Sequence, residues 1–409
     1  LRCSWRHFKQ GLNSHTPEQF VRLVPLSLIA LALPSASPLI AQVPAVMYHA
    51  HADLGYVQDN FRAHMDFLVE NGYNTISMDQ FYDWYANEGI LPLRPIVITV
   101  DDNYIQGYTE MYPIFVERGI VATNYTHTQG IGIGAPKASW AQVREMDASG
   151  VFRVESHSRT HPELDNVGLV QLYSEVHGSR DDIANNVNGK VTRHFCYPYG
   201  RFDEDVINEL KAAGYVTGLT TIRGLNYRNT PAYELRRWHG DRKTLQEFIV
   251  EIQHDQLPPP PPGEGWILDD AEPHALPKGG SWFPSVSESG FFYTGYHYRA
   301  SGGPTATGLR WAAYLPQTGT MRVHARWTQH PNRASNAAYT IHTANGEVTV
   351  VVDQRINGSQ WNDLGTYEFA EGEPVQVWLG GASDGFIIAD AIWFEPVNIP
   401  STGDHFAIY

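Results

Sequence analysis

From Val43 to about Gln256, short apolar runs alternate with stretches whose apolar residues recur every three or four positions. Residues 44–50 (PAVMYHA), 95–100 (PIVITV), 120–126 (IVATNYT), 151–156 (VFRVES) and 216–221 (VTGLTT) read as strands. Between them, residues 58–73 place Phe61, Met65 and Leu68 on one helical face and close on Gly72, and 108–120, 139–150 and 203–215 read as further helices. Regular strand–helix alternation predicts an α/β domain of βα units around a parallel sheet or barrel.

The pattern changes beyond QLPPPPPGEG at 256–265, where consecutive prolines predict a stiff, extended spacer between two domains. Residues 266–397 alternate with period two, lack long helical patterns and place Asn345-Gly346 between YTIHTA and EVTVVVD, a hairpin signal. They predict an all-β sandwich, with a C-terminal tail at 398–409. At the other end, Arg22 precedes an apolar stretch within Leu23–Gln42 that is followed by small residues, the form of a secretory signal peptide cleaved after Ala41. Its apolar core of about 11 residues is short of the ~20 that span a membrane, so the mature chain is expected to be exported, periplasmic or secreted, without an integral span. Cys3 lies in the removed segment, so Cys196 remains alone and no intramolecular disulfide is expected.

Charged residues make up 18% of the chain and hydrophobic ones 42%, an ordinary globular balance. The net charge of −15 and the lack of a Lys/Arg-rich run argue against nucleic acid or an anionic membrane as the main partner. Eleven Trp and 22 Tyr suit either a packed core or stacking on sugars.

Two places carry chemistry. The apolar run Ile96-Val97-Ile98-Thr99-Val100 ends in adjacent carboxylates, Asp101 and Asp102, which are costly to bury unless paired or metal-bound. His157 and His161 follow another strand and, four apart, would share one face of a helical turn and one metal ion. Strand C-terminal ends gather on one face of a βα barrel. Two histidines and one aspartate would leave a position open for water, the arrangement of a catalytic metal site, and the second aspartate free as a base.

Asp101-Asp102 after a Thr-x strand end, His157-Ser158-x-x-His161 and FCYPYG at 195–200 resemble, in order and spacing, the polysaccharide deacetylases, carbohydrate esterase family 4 with its NodB homology domain. SWAQVREMDASG, GLTTIRGLN and the opening MYH share the likeness, which covers about 43–250. The resemblance implies a distorted (β/α)7 barrel over 42–255, acting on an acetylated polysaccharide with a divalent metal, usually zinc, held by Asp102, His157 and His161. It further implies Asp101 as general base, the Tyr199 backbone N–H as an oxyanion donor, and Tyr197, Pro198 and Trp238 as substrate contacts. Residues 332–369 and 384–396 resemble the golvesin/xanthan-lyase-type carbohydrate-binding domain, with Trp327, Tyr339 and Trp361 as candidate stacking residues or sandwich core.

Three departures matter. Asn103 stands where much of the family has Gly; Asn tolerates left-handed backbone better than most residues. Cys196 stands where an arginine commonly orients the base, which predicts a loosely held Asp101; this small-residue form resembles the subgroup acting on poly-N-acetylglucosamine. Arg237 stands where Leu opens the family's Leu-x-His motif, so His239 and His49 compete as general acid. The reading is N-deacetylation of an N-acetylhexosamine polymer; an O-acetyl esterase and a catalytically silent glycan-binding protein are the alternatives.

Overall fold

A computed structural model describes residues 42–132, 136–252, 265–304 and 306–397. The expected signal segment with Cys3, the proline run and the C-terminal tail lie outside the described residues. The first domain is built on parallel strands β1 (Ala45–His49), β2 (Asn74–Thr75), β3 (Pro95–Asp101), β4 (Ala122–Thr126), β5 (Phe152–Ser156), β6 (His194–Cys196), β7 (Thr217–Leu219) and β8 (Trp238–His239). Their order is β8-β1-β3-β4-β5-β6-β7, with β2 flanking β3. One short segment closes the sheet: Leu235 bridges Leu219 of β7, while Trp238 and His239 pair with Val46 and Met47 of β1. This is the expected distorted barrel, with a narrow seam at 235–239.

Period-two alternation sorts each strand between helix layer and lumen. On β3, Ile96, Ile98 and Val100 pack in the outer core with α1 (Gln58–Glu70) residues Phe61, Met65 and Leu68. Val97 belongs to the inner cluster with Tyr125, Cys196, Leu219 and Leu235. Thr99 and Asp101 follow Val97 on that inner face, so β3 is buried along its whole length although it ends in a carboxylate.

The same alternation places two of the expected substrate contacts. Tyr197 and Trp238 both face the helices. Tyr197 is fully buried among Phe195, Val206 and Leu210, with its hydroxyl donating to Tyr233 O at 3.0 Å, and Trp238 packs against the outer core. Pro198 is also buried. Tyr197 and Pro198 are thus out of reach of a polysaccharide, whereas Trp238 is half-buried.

The second domain stacks antiparallel sheets. Strands β9 (Trp266–Asp269), β14 (Gly319–Arg326), β17 (Asn362–Phe369) and β20 (Ala391–Pro396) form one sheet, in the order β9-β20-β14-β17. Strands β10 (Ala275–Lys278), β13 (Gly308–Ala313), β15 (Ala337–Thr343), β16 (Gly346–Val352) and β18 (Val375–Gly380) form another, ordered β10-β13-β18-β15-β16. Strands β11 (Phe283–Ser285), β12 (Tyr296–Arg299) and β19 (Ile387–Ala389) form a third. Trp327 and Tyr339 belong to the core and Trp361 packs against Phe292 and Trp393, so core is the reading that fits all three. The hairpin turn falls one residue earlier than its Asn-Gly signal, since Thr343 pairs with Gly346 and leaves Ala344-Asn345 as the loop.

The domains are not held apart by a spacer. Trp84, on α2 (Met78–Asn87), donates through Nε1 to Pro273 O at 3.0 Å, His274 Nε2 bonds Pro92 O at 3.0 Å, and Tyr314 bridges Pro92. Leu93 enters the sandwich core. A stiff linker fixes contour length, and it does not prevent complementary faces from docking.

The seam leaves no room at Gly240, whose N–H donates to Met47 O at 2.8 Å; a Cβ there would lie 2.3 Å from the buried Tyr48 ring. Gly240→Ala is expected to cost about 1–3 kcal/mol through overpacking, read as a lowered midpoint in chemical denaturation. An unchanged midpoint would mean that the Tyr48 ring yields.

Candidate active site

The C-terminal ends of β1, β3 and β5 bring the chemistry together. Asp101 is the last inward residue of β3, and the chain then turns at once through Asp102 (φ 74) and Asn103 (φ 56). Left-handed backbone is costly for non-glycine residues, and hydrogen bonds hold it here. Asp102 N donates to Tyr125 O at 3.0 Å, Asn103 Nδ2 to Ala138 O at 3.1 Å, and Ala138 N returns a bond to Asn103 O at 3.0 Å. Asn124 Nδ2 donates to Asn103 Oδ1 at 3.1 Å. Asn103 therefore keeps the turn that its left-handed tolerance suggested.

His157 and His161 meet, though not on a helical turn. They lie in an irregular loop in which Ser158 (φ 65) and His161 (φ 64) are left-handed, and Ser158 Oγ accepts from His161 N at 3.0 Å. His157 Nδ1–H donates to Cys196 O at 2.8 Å, which fixes the tautomer and leaves Nε2 for the site. His157 Nε2 is 3.5 Å and His161 Nε2 3.3 Å from Asp102 Oδ1, and the two nitrogens are 3.2 Å apart. Ligands about 2.1 Å from a tetrahedral ion stand about 3.4 Å from one another. Asp102 Oδ1 is buried with no hydrogen-bond partner. Burial lowers the pKa of His157, and burial together with His157 brings His161 to about 4, so both imidazoles are neutral, the form that ligates. The donor set fits a divalent cation such as zinc.

Asp101 is held far more tightly than the Cys196 departure predicts. Arg237 reaches inward from the seam and forks it, Nη1 to Oδ1 at 2.8 Å and Nη2 to Oδ2 at 2.9 Å. The remaining guanidinium donors meet Thr220 O (2.9 Å), Thr99 Oγ1 (3.0 Å) and Cys196 Sγ (3.0 Å). Burial alone would raise Asp101, but Arg237's charge, with His157 beside it, holds the carboxyl well below the usual range. The two departures thus compensate in space: small Cys196 stands beside the guanidinium that Arg237 supplies. Cys196 itself is buried, and burial pushes its thiol up, away from the thiolate.

The competing acids separate. His49 ends β1 level with Asp101. Its Nδ1–H donates to Asp241 Oδ2 at 2.8 Å, and the same oxygen accepts His49 N at 2.8 Å, which leaves Nε2 free of that pair. Burial opposes the charged imidazolium, yet Asp241's hydrogen bond and nearby Asp101 raise His49 above its ordinary pKa. Asp241 is itself raised by burial, which the bonds to His49 only partly offset. His239 pairs opposite Met47, two residues short of His49, and burial with Arg237 lowers it to about 4. Tyr199 (φ 58) is exposed at the mouth, its ring edge-on to His161 at 4.6 Å. Sequence reasoning named Arg237 only as a departure and missed Asp241, whose signal was a carboxylate two residues beyond the His239 strand.

The parallel barrel thus sets a forked carboxylate beside two histidines and an aspartate that could hold a metal ion, an arrangement suited to metal-assisted hydrolysis. The polysaccharide deacetylase family matches residues 89–218 and the golvesin C-terminal domain matches 266–396. The Bacillus subtilis protein YxkH, itself named for the polysaccharide deacetylases, is 30% identical over 200 residues, 48% of this chain and 71% of that protein. A poly-beta-1,6-N-acetyl-D-glucosamine N-deacetylase of Staphylococcus aureus is 25% identical over 177 residues, 40% of this chain and 60% of the relative. Xanthan lyase of a Bacillus species is 28% identical over 156 residues, 36% of this chain and 17% of the lyase. The chain belongs to the polysaccharide deacetylase family, joined to a golvesin-type C-terminal domain.

Arg237→Met would leave Asp101 buried without its counter-charge. It is expected to cost about 3–5 kcal/mol of stability and at least ~10²-fold in kcat/KM, with Arg237→Lys intermediate because a point charge cannot fork. Denaturation and acetate-release kinetics on the three chains check this; equal values for Lys and Met would count against the fork.

Proposed function

We propose that the chain removes N-acetyl groups from an N-acetylhexosamine polymer, using a divalent cation, commonly zinc, held by Asp102, His157 and His161. The observation that carries the reading is the three ligand atoms 3.2–3.5 Å apart, one residue from a carboxylate forked by Arg237. Bound there, such a cation supplies Lewis-acid polarisation of the acetyl carbonyl and a lowered pKa for water. Asp101 takes the proton of the attacking water. Arg237 occupies one lone pair on each of its oxygens and the Cys196 thiol donates to Oδ2 at 3.4 Å, so Oδ1 is the oxygen with a lone pair left for that transfer. The Tyr199 N–H is the proposed donor to the tetrahedral oxyanion. His49 protonates the departing amine while Asp241 orients its ring, a division of labour like that of a base held by a third group.

The likeness to the Staphylococcus aureus N-deacetylase supports N- over O-acetyl. A polar cleft of about 520 Å³ includes Arg159 and Thr160 of the histidine loop with Thr128, Gln129 and Ser174, a lining suited to sugar hydroxyls. The leader-like stretch at Leu23–Gln42 supports action outside the cytoplasm; among the described residues no helix is long and apolar enough to cross a membrane.

Zinc-loaded protein on chitooligosaccharides, poly-N-acetylglucosamine, peptidoglycan and acetylxylan should release acetate with an equal yield of free amine, and Asp101→Asn should abolish both. Acetate without amine would mean an O-acetyl esterase, and silence on the whole panel with metal bound would mean a binding protein.

His49→Ala should lose about 10²–10⁴-fold in turnover while keeping its metal, and His239→Ala should lose less. As an acid, His49 works while protonated, so activity is full below its raised pKa and falls as pH passes through it. Asp241→Asn removes the cause of the rise and should move this alkaline limb to lower pH; an unmoved limb would exclude His49 as the titrating acid.

A further inference from the structure

We propose that the sandwich holds a divalent cation of the calcium class at Asp269, Asp270 and Asp390, and that this ion secures the turn by which the domain docks on the barrel. The carboxylates come from the end of β9 and from the residue between β19 and β20, strands joined where Asp269 pairs with Ala391. Each brings an oxygen within 4.8 Å of the others. Asp269 and Asp390 are 0% exposed and Asp270 6%.

Protein hydrogen bonds satisfy only half of these carboxylates. Ala271 N donates to Asp269 Oδ1 at 3.0 Å, Phe292 N to Asp390 Oδ1 at 2.9 Å, and His297 Nδ1 bonds Asp270 Oδ2. Asp269 Oδ2, Asp270 Oδ1 and Asp390 Oδ2 are buried with no hydrogen-bond partner. Compensating charge is scarce. Arg326 Nε stands 4.0 Å from Asp390 Oδ2, beyond hydrogen-bond reach, His297 faces Asp270, and Glu272 adds a further carboxylate through its bond to Asp269 N. Buried carboxylates gathered this way must either be protonated or hold a cation.

The donors are all oxygen, the chemistry of a hard ion and unlike the imidazole-rich centre in the barrel. Oxygens about 2.4 Å from calcium stand about 3.4 Å apart when adjacent and about 4.8 Å apart across the ion. The turn that leaves Asp270 carries Pro273 and His274, which bond Trp84 and Pro92 of the barrel. An ion at its root would fix the docking element as well as tie β9 to the last strand.

The test uses the full chain with Asp102→Asn, so that the barrel centre lacks a ligand. After stripping with EDTA and dialysis it is titrated with calcium chloride up to about 10 mM, a range that covers weak extracellular sites. Equilibrium dialysis should find one calcium per chain, and Tm should rise by about 5 °C at a hundredfold excess over Kd. Adding Asp390→Asn should abolish binding and cross the sign of its effect on Tm. In the metal-free chain it relieves repulsion and raises Tm, whereas with calcium it removes a ligand and lowers Tm relative to the parent. No bound calcium, or binding unchanged by Asp390→Asn, overturns the proposal. Should that variant fail to fold, Asp269→Asn is measured instead, and absence of bound calcium in the parent chain overturns the proposal without either.

Discussion

The buried ion pair between Asp101 and Arg237 is the constraint on which the catalytic half of the molecule turns. Both side chains are essentially out of water, at 2% and 0% exposure, and desolvating two ions costs several kcal/mol each. Here the loss is offset by a two-point fork and by a use for the other guanidinium donors at Thr220, Thr99 and Cys196. Because Arg237 sits in the 235–239 seam and Asp101 ends β3, the same contact ties the closing segment of the barrel to a strand beyond its immediate neighbour β1. The geometry of the proposed base and the closure of the sheet are therefore one property.

Around that pair the backbone carries strain that only a rigid frame can hold. Asp102, Asn103, Ser158, His161 and Tyr199 are all left-handed, conformations that cost of order 1–3 kcal/mol each for residues with a Cβ. Each lies just past the end of a barrel strand, where the chain must leave its extended course abruptly to keep a side chain at the mouth. The hydrogen bonds of Asn103 to Ala138 and of Ser158 to His161 N are local repayments. The capping box of Ser139 and Gln142 anchors α3 (Trp140–Ala148) directly behind Ala138.

Much of this was legible in the sequence, and the rest was hidden for physical reasons. Hydrophobic period separated barrel from sandwich, and the strand-end positions of Asp101, Asp102, His157 and His161 named the residues that the fold brings together. Arg237 escaped because a contact between residues 136 apart leaves no local trace: one position looked like a lost arginine and another like a misplaced one, and only the closed sheet makes them a single exchange. Tyr197 and Trp238 carry no local mark of which way they point, because in a period-two element one residue of phase is the difference between lumen and helix layer. The His157–His161 spacing was read as helical, but four residues can also be brought together by two left-handed turns.

The docking of the sandwich bears on how a polymer could be handled. Its contacts fall on α2 and on Leu91, Pro92 and Leu93, which lead into the N-terminal end of β3, whereas Asp101 stands at the other end of that strand. Six residues of extended chain separate Pro95 from Asp101, about 20 Å at ~3.3 Å per residue. In a barrel the N-terminal face serves stability and the C-terminal face chemistry, and the second domain has been joined to the former. Among the described residues, these contacts leave the C-terminal face of the barrel uncovered. On the proposed reading, a glycan held by the second domain would run the height of the barrel before reaching Asp101, so that domain's contribution would be to hold a long chain near the site rather than to choose the sugar that enters. On the proposed reading, choice of the sugar would then fall to the loops after β1, β3, β5 and β6, which surround Asp101, Asp102, His157 and His161.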